Sequence, residues 1–228
     1  MYFIVRIILL FCVHSICVAG NNNNILPANY SEELGLILKN YQNNAFNDEQ
    51  LEQRLKLCSD NGNPGCTYFL CDYYYTRKLY SLAYTTCSNI EGNYFQEEKD
   101  FMLGYLLTNG LGILQNKEKG LEFYINSVAG GDAVSAWNIS VVYTKEMATL
   151  IEAKQYNSQL DDATVNAYAW AKVAQALGYE NYTDTNGVQK SISTVLNAYR
   201  AILTNISRID EADTLAKEIC SQIKKCNQ

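Results

Sequence analysis

The chain has 228 residues, of which 48% are hydrophobic and 18% charged, enough apolar material for a sizeable core and too much for wholesale disorder. Its formal net charge of −6 disfavours nucleic acid, whose phosphates would repel an acidic surface. Only two prolines occur, Pro27 and Pro64, and so few breakers between long periodic segments favour helices over a β-sandwich.

Residues 1–20, MYFIVRIILLFCVHSICVAG, read as a secretory signal. Arg6 supplies the positive end, Ile7 to Val18 the apolar stretch, and Ala19 or Gly20 a small residue at the cleavage point. The alternative is an uncleaved anchor, against which His14 and Ser15 interrupt the run. Cleavage removes Arg6 and no acid, so the mature chain is more acidic still. It also removes His14, the single histidine. A mature chain without histidine excludes Ser-His-Asp and Cys-His nucleophiles, histidine-ligated zinc and histidine acid/base work. No cofactor and no metal are expected. Residues 21–30, beginning NNNN, read as a flexible leader.

The first helical pair spans 31–62: SEELGLILKNYQ, a cap at Asn47 or Asp48, then EQLEQRLKLCSDNG. The second spans 66–89: CTYFLCDYYY, a tight turn near Arg77, then KLYSLAYTTCSN. In 103–133 an apolar run is broken at Gly110 and Gly112, and Asn116 starts a new helix. There Leu121, Tyr124, Ile125 and Val128 recur at helical spacing on one face, and Gly130 and Gly131 stop it. Residues 133–178 repeat the theme with AVSAWNISVVY and NAYAWAKVAQALGY. The stretch between them has helical composition and extends the first helix, with Asp161 or Asp162 capping the next. Two further helices, GVQKSISTVLNAYRAILTNI and DEADTLAKEICSQIKKC, form a C-terminal helical cap over 187–228.

The stretch 103–133 resembles the Sel-one-like repeat, a relative of the tetratricopeptide repeat. Leu103-Gly104, Gly110-Leu111-Gly112, Asn116, Lys119-Gly120, Phe123-Tyr124, Ser127-Val128 and Gly131 fall in the register of that family's pattern. Gly120 in place of alanine and Leu107 in place of an aromatic residue are departures. The resemblance is full over roughly 95–180 and weaker over 31–92. It implies an all-α, right-handed α/α solenoid of about five helical pairs over 31–180, followed by the cap. Stacked pairs of this kind bury a continuous core and leave a concave face lined by first helices.

Six cysteines survive maturation, and an even number in an exported chain reads as disulfides. CSDNGNPGC at 58–66 joins the end of one helix to the start of the next, and it resembles the bridged junction of the family's cysteine-rich branch. Cys71, on the preceding helix, can face back toward Cys87. With these placements the expected bridges are Cys58–Cys66, Cys71–Cys87 and Cys220–Cys226.

Ser59-Asp60-Asn61 spells one motif of penicillin-recognising enzymes, and Ser221 with Lys224 spells another. The order is reversed and no Lys-Thr-Gly exists, so no catalytic residue is assigned. Tyr73-Tyr74-Tyr75 occupies three successive helical positions, which cannot all face one core. From helical spacing Tyr73, Tyr105, Asn138 and Val142 are nominated for an open binding face. Tyr74, Leu103 and Tyr143 are expected to pack between helices, and Trp137 and Trp170 to serve packing. Asn29, Asn138, Asn181 and Asn205 stand in glycosylation sequons. The reading is an exported protein, periplasmic or secreted, that binds another protein without chemistry, with no nucleic-acid partner and no membrane insertion after cleavage. The rival reading is a cell-wall or β-lactam-directed enzyme.

Overall fold

The computed structural model describes residues 31–93, 95–183 and 189–227; the signal and leader expected over 1–30 lie outside them. The described residues form ten α-helices, one short β-ribbon and a terminal 3-10 turn. The chain divides between Tyr94 and Phe95 into two compact units.

The first unit holds α1 (Glu32–Gln42), α2 (Asp48–Asp60), α3 (Pro64–Thr76) and α4 (Tyr80–Ser88). Local chemistry sets each start. The Ser31 hydroxyl accepts from the Leu34 amide, 3.1 Å, with Glu32 and Glu33 in the first turn complementing the helix dipole. Asn47 caps α2 in a capping box: its side chain accepts from the Gln50 amide at 2.8 Å, and Gln50 accepts from the Asn47 amide at 3.0 Å. Pro64 opens α3, where its missing N–H costs nothing, and Asn63 accepts from the Gly65 and Cys66 amides. Helix α3 packs on both α2 and α4, and every residue from Gly65 to Tyr74 is buried.

The second unit holds α5 (Gln96–Asn109), α6 (Lys117–Ala129), α7 (Ala133–Glu152), α8 (Ser158–Ala176), the antiparallel strands β1 (Asn181–Thr183) and β2 (Gln189–Ser191), α9 (Ile192–Asn205), α10 (Ile209–Ser221) and the 3-10 turn Lys224–Asn227. Helix α5 ends on Gly110 at φ +64° and α6 is followed by Gly131 at φ +99°, left-handed positions that glycine adopts without a Cβ clash. Helices α5 and α6 approach closely through two more glycines. A Cβ on Gly104 would lie 2.7 Å from the Tyr124 ring, and one on Gly120 would lie 2.5 Å from the Thr108 methyl and 2.9 Å from its amide nitrogen. Gly120 is therefore what this crossing requires.

Helix α8 is the hub of the unit, packing on α7, α9 and α10. Tyr124, Ile139, Tyr168, Ile192 and Leu203 are at most 1% exposed in one core. The helices expected as a terminal cap are built into that same core through Ile192, Leu196, Leu203 and Ala212.

Three sequence expectations are corrected. The helix expected over GVQKSISTVLNAYRAILTNI starts only at Ile192, because Gln189–Ser191 pairs with Asn181–Thr183 as a ribbon. Ile125 is 47% exposed; the inward face of α6 is instead Gly120, Tyr124, Ser127 and Val128, because the glycine contact with Thr108 turns the helix toward α5. The cap of α8 is Asn157, which accepts from the Gln159 amide, so the helix begins a turn before Asp161 and Asp162. The extension of the preceding helix does occur, with α7 running to Glu152.

Candidate functional site

In the second unit α5 and α7 are neighbours. The Lys145 ammonium of α7 donates to the Asn109 side chain of α5 at 2.9 Å. Asn109 lies one turn beyond Tyr105, and Lys145 lies three residues beyond Val142, so the helical repeat puts Tyr105 and Val142 on the facing sides of this contact. Both are partly exposed at the margin of the core. Tyr105 stacks on Phe101 with ring centroids 6.4 Å apart. Asn138, one turn before Val142, is partly exposed and donates its amide to the Val134 carbonyl of its own helix, 2.9 Å.

Next to Asn138, the Trp137 ring stacks on Tyr179 (5.8 Å) and packs on Tyr182 of β1 (4.7 Å), and all three are partly exposed. Trp170, in contrast, is 8% exposed and part of the core. On the other side of α7, Lys117 pairs with Glu146 and lies 5.7 Å from the Tyr143 ring. Leu103 is 2% exposed, and Tyr143 packs partly buried against the core.

Tyr73 does not occupy an open face. It is 5% exposed, like Tyr74. Its hydroxyl donates to the Asp48 carbonyl at 3.1 Å, and the Arg77 guanidinium sits 3.7 Å over its ring. Arg77 in turn pairs with the Asp48 carboxylate at 2.9 Å, which also accepts from the Tyr41 hydroxyl at 2.7 Å. Tyr74 donates to Glu52 at 3.0 Å. Burial pushes both phenols up to about 12. Two adjacent residues of α3 are thus buried because each finds a polar partner on α2, a solution that spacing along one helix does not reveal.

Three cysteine pairs lie at disulfide distance: Cys58–Cys66, Cys71–Cys87 and Cys220–Cys226, with Cα separations of 5.8, 5.2 and 5.3 Å, in the range that a bridge needs. They are the three pairs put together from the sequence. Among the described residues no cluster of acidic, cysteine or histidine side chains is arranged to hold a metal ion. Ser59 shares a 2.8 Å hydrogen bond with Thr67 across the bridged loop, and Ser221 donates to the Glu218 carbonyl of its own helix.

A polar cluster that the sequence reading missed joins three helices of the second unit. The Tyr168 hydroxyl donates to Asp213 at 2.9 Å and accepts from Arg200 at 2.7 Å, and Lys172 donates to Asp213 at 2.6 Å. Burial raises the Tyr168 phenol to about 12, with Asp213 adding to it. Burial alone would raise the Asp213 carboxyl too, but hydrogen bonds from Lys172 and Tyr168 outweigh it and hold the pKa down. The cluster ties α8 to α9 and α10. Only the i, i+4 spacing of Tyr168 and Lys172 hinted at it.

Comparison with protein-family models, with curated proteins and with solved structures finds no match to this chain. No described helix is long and apolar enough to cross a membrane.

Proposed function

We propose that this chain is an exported helical-repeat protein of the Sel-one-like kind, a right-handed α/α solenoid that binds another protein through a face of its second unit. Delivery is to the periplasm or outside the cell. The observation that carries the reading is the side-by-side placement of α5 and α7, the first helices of successive pairs. They are joined by Lys145 and Asn109, and Tyr105 on α5 and Asn138 and Val142 on α7 are each partly exposed. Tyrosine offers a large contact area at low entropic cost, and partly exposed apolar side chains beside a rigid core are suited to anchor a partner. Bridged cysteines fit an oxidising compartment. Tyr73 belongs to the packing of its own unit and leaves the proposed face.

The test is retention of a partner from the envelope and secreted fractions by the mature chain, beside the double variant Tyr105→Ala/Val142→Ala. A specific protein retained by the unmodified chain, with affinity lowered by at least ~1 kcal/mol in the variant and an unchanged circular-dichroism spectrum, supports the face. Equal retention by both, or retention of nothing specific, overturns it.

A further inference from the structure

The three bridges are not equivalent. Cys58, Cys66, Cys71 and Cys87 are all 0% exposed, sealed inside the first unit. Cys220 and Cys226 are partly exposed and close a short loop at the end of the second unit, from the last turn of α10 to the 3-10 turn. An incoming thiolate must reach a sulfur directly before it can exchange, so access separates the bridges kinetically.

The C-terminal bridge is also electrically asymmetric. Cys220 lies in the last turn of α10, at the negative end of the helix dipole, which disfavours a thiolate. Cys226 lies in the 3-10 turn two residues after the exposed Lys224, and a nearby ammonium group favours a thiolate. Cys226 is therefore the better leaving group, and Cys220 the sulfur to be attacked. The loop does not depend on the bridge alone for its place. Ile223 is 4% exposed within the core, and the Lys225 stem crosses Gly131, where an added Cβ would lie 2.3 Å from its Cδ.

We propose that Cys220–Cys226 is a thiol–disulfide exchange site for an external dithiol, while Cys58–Cys66 and Cys71–Cys87 are inert cross-links. One thiolate of the dithiol forms a bond to the Cys220 sulfur as the Cys220–Cys226 bond breaks, and the electron pair leaves on Cys226. The dithiol's second thiolate then attacks the dithiol's first sulfur, the one bonded to Cys220, which closes the dithiol's disulfide and releases Cys220 as a thiolate. The protein gains two electrons as two thiols, protonated from water, and the dithiol is oxidised to a disulfide. With Ile223 still seated, the fold survives and the step is reversible.

The experiment treats the native, oxidised protein with graded dithiothreitol, blocks free thiols with iodoacetamide and maps them by peptide mass spectrometry. Cys220 and Cys226 should be modified at least about tenfold faster than the other four, a preference set by access that denaturant abolishes. In the variant Lys224→Gln the rate should drop several-fold with an unchanged circular-dichroism spectrum. Reduction of either buried bridge in step with the C-terminal one, or ahead of it, overturns the site; an undiminished rate in the lysine variant overturns Cys226 as the leaving group.

Discussion

Tyr73, Tyr74 and Asp72 are successive residues of α3, and all three are at most 8% exposed. The tyrosines are accommodated by acceptors on α2, whereas Asp72 is held by a less favourable balance. Burial raises its carboxyl from an ordinary 3.8 to about 6, and the Arg77 charge only partly opposes this. Between about pH 4 and pH 6 the folded chain therefore keeps a proton that the unfolded chain has released. Stability contributed at Asp72 is full below pH 4 and is lost as pH rises through this window. Above it the fold carries a buried carboxylate at a cost of roughly 2–3 kcal/mol. Asp72→Asn should raise the urea midpoint at pH 7 and leave it near the unmodified value at pH 4. A gain of the same size at both pH values would trace the effect to packing and not to ionisation.

At the scale of elements, the α5–α6 crossing shows how a small residue fixes helix separation. Gly104 receives the face of Tyr124 and Gly120 receives Thr108, so the backbones meet where any Cβ would intrude. Gly120→Ala would raise helix propensity by up to about 1 kcal/mol, yet overpacking here should cost about 1–3 kcal/mol and prevail. The expected result is a lower melting temperature, only partly restored by adding Thr108→Ser, because the Thr108 amide nitrogen is also in the way. A variant that melts higher than the unmodified chain would show that the helices can separate freely. Helix starts are simpler. Asn47, Asn63, Asn116 and Asp132 each accept from amides of the turn that follows, a relation contained within a few residues of sequence.

At the scale of the molecule, the two units are stabilised by different means. The first has four helices and holds two fully buried bridges within residues 58–87. The second relies on a larger core centred on α8 and on the Tyr168–Asp213–Arg200 cluster. Replacing Cys71 and Cys87 together by alanine should cost about 2–4 kcal/mol and act locally. Amide exchange should accelerate across α1 to α4, while α7 and α8 keep their protection. Equal acceleration in both units would show that they unfold as one.

The helical class, the helix starts at Asn47 and Asn116, the three cysteine pairs and the burial of Tyr74, Leu103 and Trp170 were legible in the sequence. These follow from rules read along a few turns of chain: apolar spacing, capping side chains, left-handed glycines and cysteines spaced to meet across a helix junction. Those rules leave open how each helix is turned against its neighbours. Tyr73 is buried because Asp48 and Arg77, on either side of it in sequence, close over it. Ile125 is exposed because Gly120 meets Thr108 and turns the face of α6. The tail helices join the main core because α8 offers them a side that α7 does not fill. In each case a deciding partner lies on another element: Asp48 on α2, Thr108 on α5 and the open side of α8. A helix's own periodicity sets which residues share a face, but the direction in which that face points is set by the neighbour that packs against it.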